Sequence, residues 1–285
     1  MSASVVSSMA GSYAAYAAAA AALDPLGRAR VWQGLHLTAH PGLFAFVGQV
    51  NDDAGERGSV GGADLTARSA IVREAEPRAA TLVTRLAGEL AGLLGADSVP
   101  VVLLAGTTAA NGWVDVYEGR PTLFLELSQL PPAPYDAVLV AHELTHVAHQ
   151  RRRAGVWPET VAALLFAEGL ATAVSRDLVP GLGDAGYLWF AAGHQPWLDA
   201  CAAAYPTVAA ELAGVLESTD PVVGRRLFSA GAGHSGTLPV RAGYYAGLRL
   251  IAEMRVAEGD IALAGSDLAG VTASLHTQLS SRGRR

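Results

Sequence analysis

Apolar positions recur at helical spacing in several parts of the chain. Leu82, Leu86, Leu90 and Leu93 predict a core-facing helix over Pro77–Leu94. Val140, Leu144 and Val147 fall at i, i+4 and i+7 and give a predicted helix over Tyr135–Arg153 one buried face. Tyr244, Leu248 and Ile251 do the same for Ala242–Glu258. A different pattern lies between the first two helices. Val99–Ala105 is a short continuous apolar run, and Trp113–Tyr117 and Thr122–Leu127 read as strands joined by a turn at Glu118-Gly119-Arg120-Pro121. The pattern predicts a mostly helical α+β fold. A small N-terminal sheet packs on the 135–153 helix, and a helical C-terminal subdomain follows. The expected division is a helical region at 1–95 and a second domain at 96–285.

Punctuation sharpens these limits. Pro131, Pro132 and Pro134 end the strand segment, because the residue before a proline is pushed to extended geometry. Asp136 suits the positive end of the 135–153 helix, and Arg151, Arg152 and Arg153 suit its negative end, with Gly155 to stop it. Pro158 opens a further helix that Pro180 closes. Later breaks fall at Pro180–Gly186, Gly193–Pro196 and Pro206. Ala14–Leu23 is an Ala-rich run expected to pack as a helix ending near Asp24-Pro25. Asn51–Asp64 and Gly231–Gly236 read as Gly-rich loops, and Ser280–Arg285 as a frayed tail. His36 and His40, in a turn near Pro41-Gly42, are expected at the surface.

Composition removes several classes of function. With 285 residues and 51% hydrophobic content, the chain can build one large core or two small domains. A net charge of −6 argues against a nucleic-acid partner. All 20 basic residues are Arg, a bias that fits high-GC coding and carries no function. Cys201 is the single cysteine, so neither a disulfide framework nor a cysteine zinc site is expected. Ala14–Leu23 is too short to span a bilayer, and no Lys or Arg precedes it as a signal peptide requires. A cytoplasmic protein without a membrane partner is expected. Asn51–Asp64 lacks the G-K-[ST] of a phosphate loop. Gly233-His234-Ser235-Gly236-Thr237 lacks the last glycine of G-x-S-x-G.

The chemistry lies in His142-Glu143-Leu144-Thr145-His146, an H-E-x-x-H inside the 135–153 helix. The 3.6-residue period places both imidazoles on one face, one turn apart. Two such histidines can ligate one zinc, and Glu143 can act as general base on the attacking water. His149 lies about 10 Å along the axis from His142, too far to share the ion, and is expected to line the cleft or support it. Arg152 stands where the H-E-x-x-H-x-x-G-x-x-H variant has its third histidine, so that variant is excluded. Glu168 lies 22 residues beyond His146 (168 − 146), on the helix opened by Pro158. Counting rises from the Ala154–Trp157 loop, Glu168 stands about 15 Å along one helix and His142 about 16 Å along the other, so the two come level. Its apolar setting, Leu164-Leu165-Phe166-Ala167 before and Gly169-Leu170-Ala171 after, is one a carboxylate avoids unless paired or metal-bound. Gly169 would let the helices approach closely.

H-E-L-T-H followed by A-E-G-L-A-T resembles the gluzincins, zinc metallopeptidases whose third ligand is a glutamate on the following helix. It is most similar to a family of little-characterised bacterial proteins described as predicted zinc-dependent proteases. There a segment like Leu238-Pro239-Val240-Arg241-Ala242-Gly243-Tyr244-Tyr245-Ala246-Gly247 also recurs. The resemblance covers roughly Val99 to Met254. It implies a zinc-dependent peptidase with Zn2+ on His142, His146 and Glu168, and a peptide or protein substrate. It also implies an edge strand at the cleft that pairs with extended substrate, for which Thr122–Leu127 is the candidate. A Tyr or His of the C-terminal subdomain would stabilise the oxyanion: Tyr244 first, with Tyr245 and His234 as alternatives. Many gluzincins carry an Asp four residues after the ligand Glu; here Thr172 stands there, adding no charge behind a ligand histidine. The alternative function is a zinc-bearing binding or regulatory protein without hydrolysis, and the oligomeric state is left open.

Overall fold

A computed structural model describes residues 3–50, 64–95, 98–106, 110–230 and 238–282. The expected loops at Asn51–Asp64 and Gly231–Gly236 lie outside these residues, apart from Asp64, and so do His234 and the last three residues of the tail. The fold is mostly helical α+β with one small mixed sheet, as the pattern predicts. By contacts the chain forms two compact units, 1–88 with 96–136, and 89–95 with 137–285. The expected division at residue 95 placed the strands with the helices that follow. The contacts group them with residues 1–88.

The reason is a strand that periodicity does not reveal. The first unit holds β1 (Ala3–Ser8), β2 (Val99–Leu104), β3 (Gly112–Tyr117) and β4 (Arg120–Glu126), in the order β1-β2-β4-β3. β1 pairs with β2 in parallel, tying the start of the chain to the middle. β2 is buried throughout, as its unbroken apolar run implies for a strand covered on both faces. β3 and β4 form an antiparallel hairpin. Its turn places Glu118 at φ 50° and Gly119 at φ 75°, the paired positive angles that match strand twist. β4 lies between β2 and β3, so the expectation that Thr122–Leu127 is an exposed edge is corrected. Its backbone ladder is already used on both sides, and Phe124 is fully buried between the rings of Trp113 and Phe46.

The helices of this unit are α1 (Ala10–Ala20), α2 (Pro25–Val31), a π-helical turn at Trp32–Leu37, α3 (Pro41–Val50) and α4 (Leu65–Glu89). α4 runs through Pro77 instead of starting there. Val72, Ala75, Ala79, Val83 and Leu86 form one buried stripe across the proline, and that burial offsets the lost backbone hydrogen bond. His36 is also not where the sequence placed it. It is fully buried: one ring nitrogen, Nε2, bonds to the Ala105 carbonyl at 2.9 Å, and the other, Nδ1, meets the Ser12 hydroxyl at 2.7 Å. Burial holds its pKa down to about 4.

The second unit begins with α5 (Ala91–Leu94) and takes up the chain again in α6 (Tyr135–Arg152). It continues through α7 (Val161–Leu178), α8 (Asp184–Trp189), α9 (Gln195–Val215), α10 (Pro221–Phe228), α11 (Ala242–Glu258), α12 (Asp260–Ala264) and α13 (Leu268–Arg282). Thr160 starts α7, its hydroxyl accepting from the Ala163 amide at 3.1 Å, so the helix begins later than Pro158. The arginine run after the motif has a structural use. Arg151 and Arg152 donate to the carbonyls of Leu94, Leu93 and Gly92 at the end of α5. Among the described residues no helix is long and apolar enough to cross a membrane.

Candidate metal centre

One close approach between backbones builds the site. A Cβ on Gly169 would lie 2.4 Å from the Gly247 carbonyl oxygen, and one on Gly247 would lie 2.6 Å from the Leu165 carbonyl oxygen. Two glycines therefore let α7 and α11 touch backbone to backbone. The partner of Gly169 is thus α11, and not the α6 that the sequence predicts. Glu168 precedes Gly169, and Tyr244 lies almost one turn before Gly247, so the same contact fixes the helix segments that carry the carboxylate and the phenol.

α6 presents His142 and His146 on one face, with ring centroids 4.7 Å apart. Their Nε2 atoms are separated by 3.0 Å. Glu168 Oε2 stands 3.1 Å from His142 Nε2, and its Oε1 stands 3.7 Å from His146 Nε2. One ligand atom from each residue falls within 4.8 Å of the others. Among the described residues no second group of His, Cys, Asp or Glu gathers in this way. Nitrogen and oxygen donors about 2.0–2.1 Å from a tetrahedral ion lie about 3.3 Å apart. The three side chains bracket that spacing and could hold a metal ion.

The charges agree with such a cluster. Burial alone would raise the Glu168 carboxyl, but His146 and the hydrogen bonds from both histidines outweigh it and hold it below the usual carboxylate range. For His146 burial works downward. The Glu168 charge and hydrogen bond, with Glu143 beyond, reverse this and lift it to about 9. Glu143 is buried beside the trio, and burial pushes its carboxyl up against the opposing pull of His146 and His142.

The three oxyanion candidates separate. His234 lies outside the described residues. The Tyr245 hydroxyl accepts from Arg249 at 2.9 Å, and its ring packs edge-on against Tyr205. Burial, with the charges of Glu168 and Glu143, pushes the Tyr244 phenol up against the opposing pull of Arg241. Two residues that sequence reasoning gave no role, Arg241 and Phe190, fix this wall. Arg241 donates to the Leu188 carbonyl at 2.8 Å and lays its guanidinium 4.1 Å from the centre of the Tyr244 ring. Phe190, in the left-handed region at φ 52° just after α8, sets its ring edge-on to His142 at 5.2 Å. Arg241 lies in the recurring Leu238–Gly247 segment and Phe190 in no motif, and both stand at positive φ in turns, where periodicity gives no direction to the side chain.

The support behind the ligands is thin. The Thr172 hydroxyl and His142 Nδ1 are both buried and have no hydrogen-bond partner among the described residues. Thr172 therefore does not hold either histidine of the trio. His149 is not a donor to the trio. It is buried against Trp157 and Phe166, beside a small cavity that His146 also borders. No family model, no curated protein and no solved structure matches this chain.

Proposed function

We propose that the protein is a zinc-dependent peptidase of gluzincin type, acting on a peptide or protein substrate. The observation that carries the reading is the convergence of His142, His146 and Glu168 donor atoms beside a buried, intact Glu143. Two imidazoles and one carboxylate form the ligand set of a catalytic zinc site that leaves a position for substrate or water. Bound there, zinc supplies Lewis acidity and makes water a nucleophile near neutral pH.

The remaining steps belong to the chain. Glu143 takes a proton from the attacking water as its oxygen adds to the scissile carbonyl carbon. It then delivers that proton to the amine nitrogen as the C–N bond breaks. Burial raises the Glu143 carboxyl, the direction that makes its carboxylate a stronger base. The Tyr244 phenol stays protonated at neutral pH and can donate to the developing oxyanion. Arg241 fixes the ring that carries it. Metal content of the purified protein, measured together with cleavage of a peptide library, tests the reading. About one zinc per chain and chelator-sensitive cleavage are expected; metal-free protein with full activity would overturn it.

A further inference from the structure

The small cavity beside His146 has the makings of a recognition site. It has a volume of about 120 Å³ and is lined from α6 by His146, His149 and Gln150, from just past its end by Arg153, and from α7 by Ala163 and Ala167. That is room for a group the size of about four waters. His149 is 4% exposed, and its Nε2 is a buried polar atom with no hydrogen-bond partner among the described residues. Such an atom costs free energy unless a ligand satisfies it. Arg153 differs from its two neighbours. Arg151 and Arg152 donate to backbone carbonyls, whereas the Arg153 side chain makes no hydrogen bond or ion pair among the described residues. The cavity therefore joins an uncommitted guanidinium, an amide and an unsatisfied imidazole, on the side of the motif helix next to a metal ligand. One group opposes this balance: Glu159 also lines the cavity, but it is exposed.

Resting on the peptidase reading, we propose that this cavity is a specificity subsite that binds a substrate carboxylate through Arg153, His149 and Gln150. A guanidinium matches a carboxylate in two parallel hydrogen bonds, and charge-assisted bonds of this kind are about twice as strong as neutral ones. The volume admits a terminal carboxylate or a short acidic side chain and excludes a large aromatic one. Burial holds the His149 pKa down to about 3, so the ring is neutral at working pH and offers one N–H.

Calorimetry with defined peptides tests this without relying on turnover. The probes are N-acetyl-Gly-Ala with a free carboxylate, its carboxamide, N-acetyl-Asp amide and N-acetyl-Asn amide, on protein of measured zinc content. Wild type should bind at least one acid at least about tenfold more tightly than its matched amide. Preference within the Gly-Ala pair assigns the site to a chain terminus; preference within the Asp/Asn pair assigns it to a side chain. Arg153→Gln, a change at a half-buried helix end, should abolish the preference, and Glu159→Gln should strengthen acid binding by removing a like charge. Equal binding of acid and amide by wild type, no detectable binding of any probe, or a preference that survives in Arg153→Gln overturns the subsite. Acid-selective binding by protein that cleaves no peptide would sink the peptidase reading and leave the subsite standing.

Discussion

Gly169→Ala is the sharpest probe of how the fold makes the site. The new methyl would sit 2.4 Å from the Gly247 carbonyl oxygen and 2.6 Å from Ile251 Cγ1, where ordinary contact begins at 3.4 Å. The shortfall at the oxygen is about 1 Å, and backbone cannot yield as a flexible side chain would. α7 and α11 must separate, at a cost of about 1–3 kcal/mol for an overpacked interior. Metal ligands tolerate only about 0.2 Å of displacement, so a shift of Glu168 should weaken zinc binding roughly tenfold or more. Urea unfolding followed by circular dichroism gives the stability loss. A competition titration against a chromophoric chelator gives the affinity. Gly214→Ala, in α9 with nothing within 4 Å of its Cβ position, is the control and should be neutral or stabilising by up to about 1 kcal/mol. Gly169→Ala protein as stable as wild type, with unchanged zinc affinity, would refute the claim that the Gly169–Gly247 contact sets the site.

Other substitutions separate metal binding from chemistry. Glu168→Ala leaves two ligands and should lose most of the bound zinc by elemental analysis; full occupancy would move the third ligand elsewhere. Glu143→Gln keeps shape and zinc but cannot accept a proton, so cleavage should fall to background, and near wild-type turnover would remove the general-base role. Tyr244→Phe should lower kcat about 10²-fold with KM and zinc little altered. Loss in Tyr245→Phe or His234→Ala instead would transfer the role. The buried His36 gives a pH prediction in the other unit. Its folded pKa of about 4 lies below the ordinary value of 6.5, so the unfolded chain takes up the proton first. Its contribution is therefore complete above pH 6.5 and is lost as pH falls toward 4, by about 3 kcal/mol in all. Wild type and His36→Gln should converge in stability across that window; a constant difference between them would contradict the neutral buried ring.

The parts of the site that could be read from sequence are those whose geometry is local. His142, Glu143 and His146 share one helix, and a 3.6-residue period fixes their relation wherever that helix sits. Glu168 needed one more step, a count of rises across a short loop, and it arrives 3.1 Å from His142 because both helices are regular. Most of what failed depends on contacts made outside the element concerned. β1 carries Val5 and Val6 in a polar setting, partly exposed, and becomes a strand only because β2, some hundred residues on, offers a free edge. That unseen strand does not cover β4, but β2 and β3 together do, and the paired flanks are what remove Thr122–Leu127 as an edge. Gly169 was legible as a close-approach residue but not its partner, since glycine marks that something comes near without saying what. The distinction between Tyr244 and Tyr245 follows the same rule. A 100° turn of helix says the two phenols differ. Only tertiary contacts separate them: Arg249 takes the Tyr245 hydroxyl, and Arg241 lies on the Tyr244 ring.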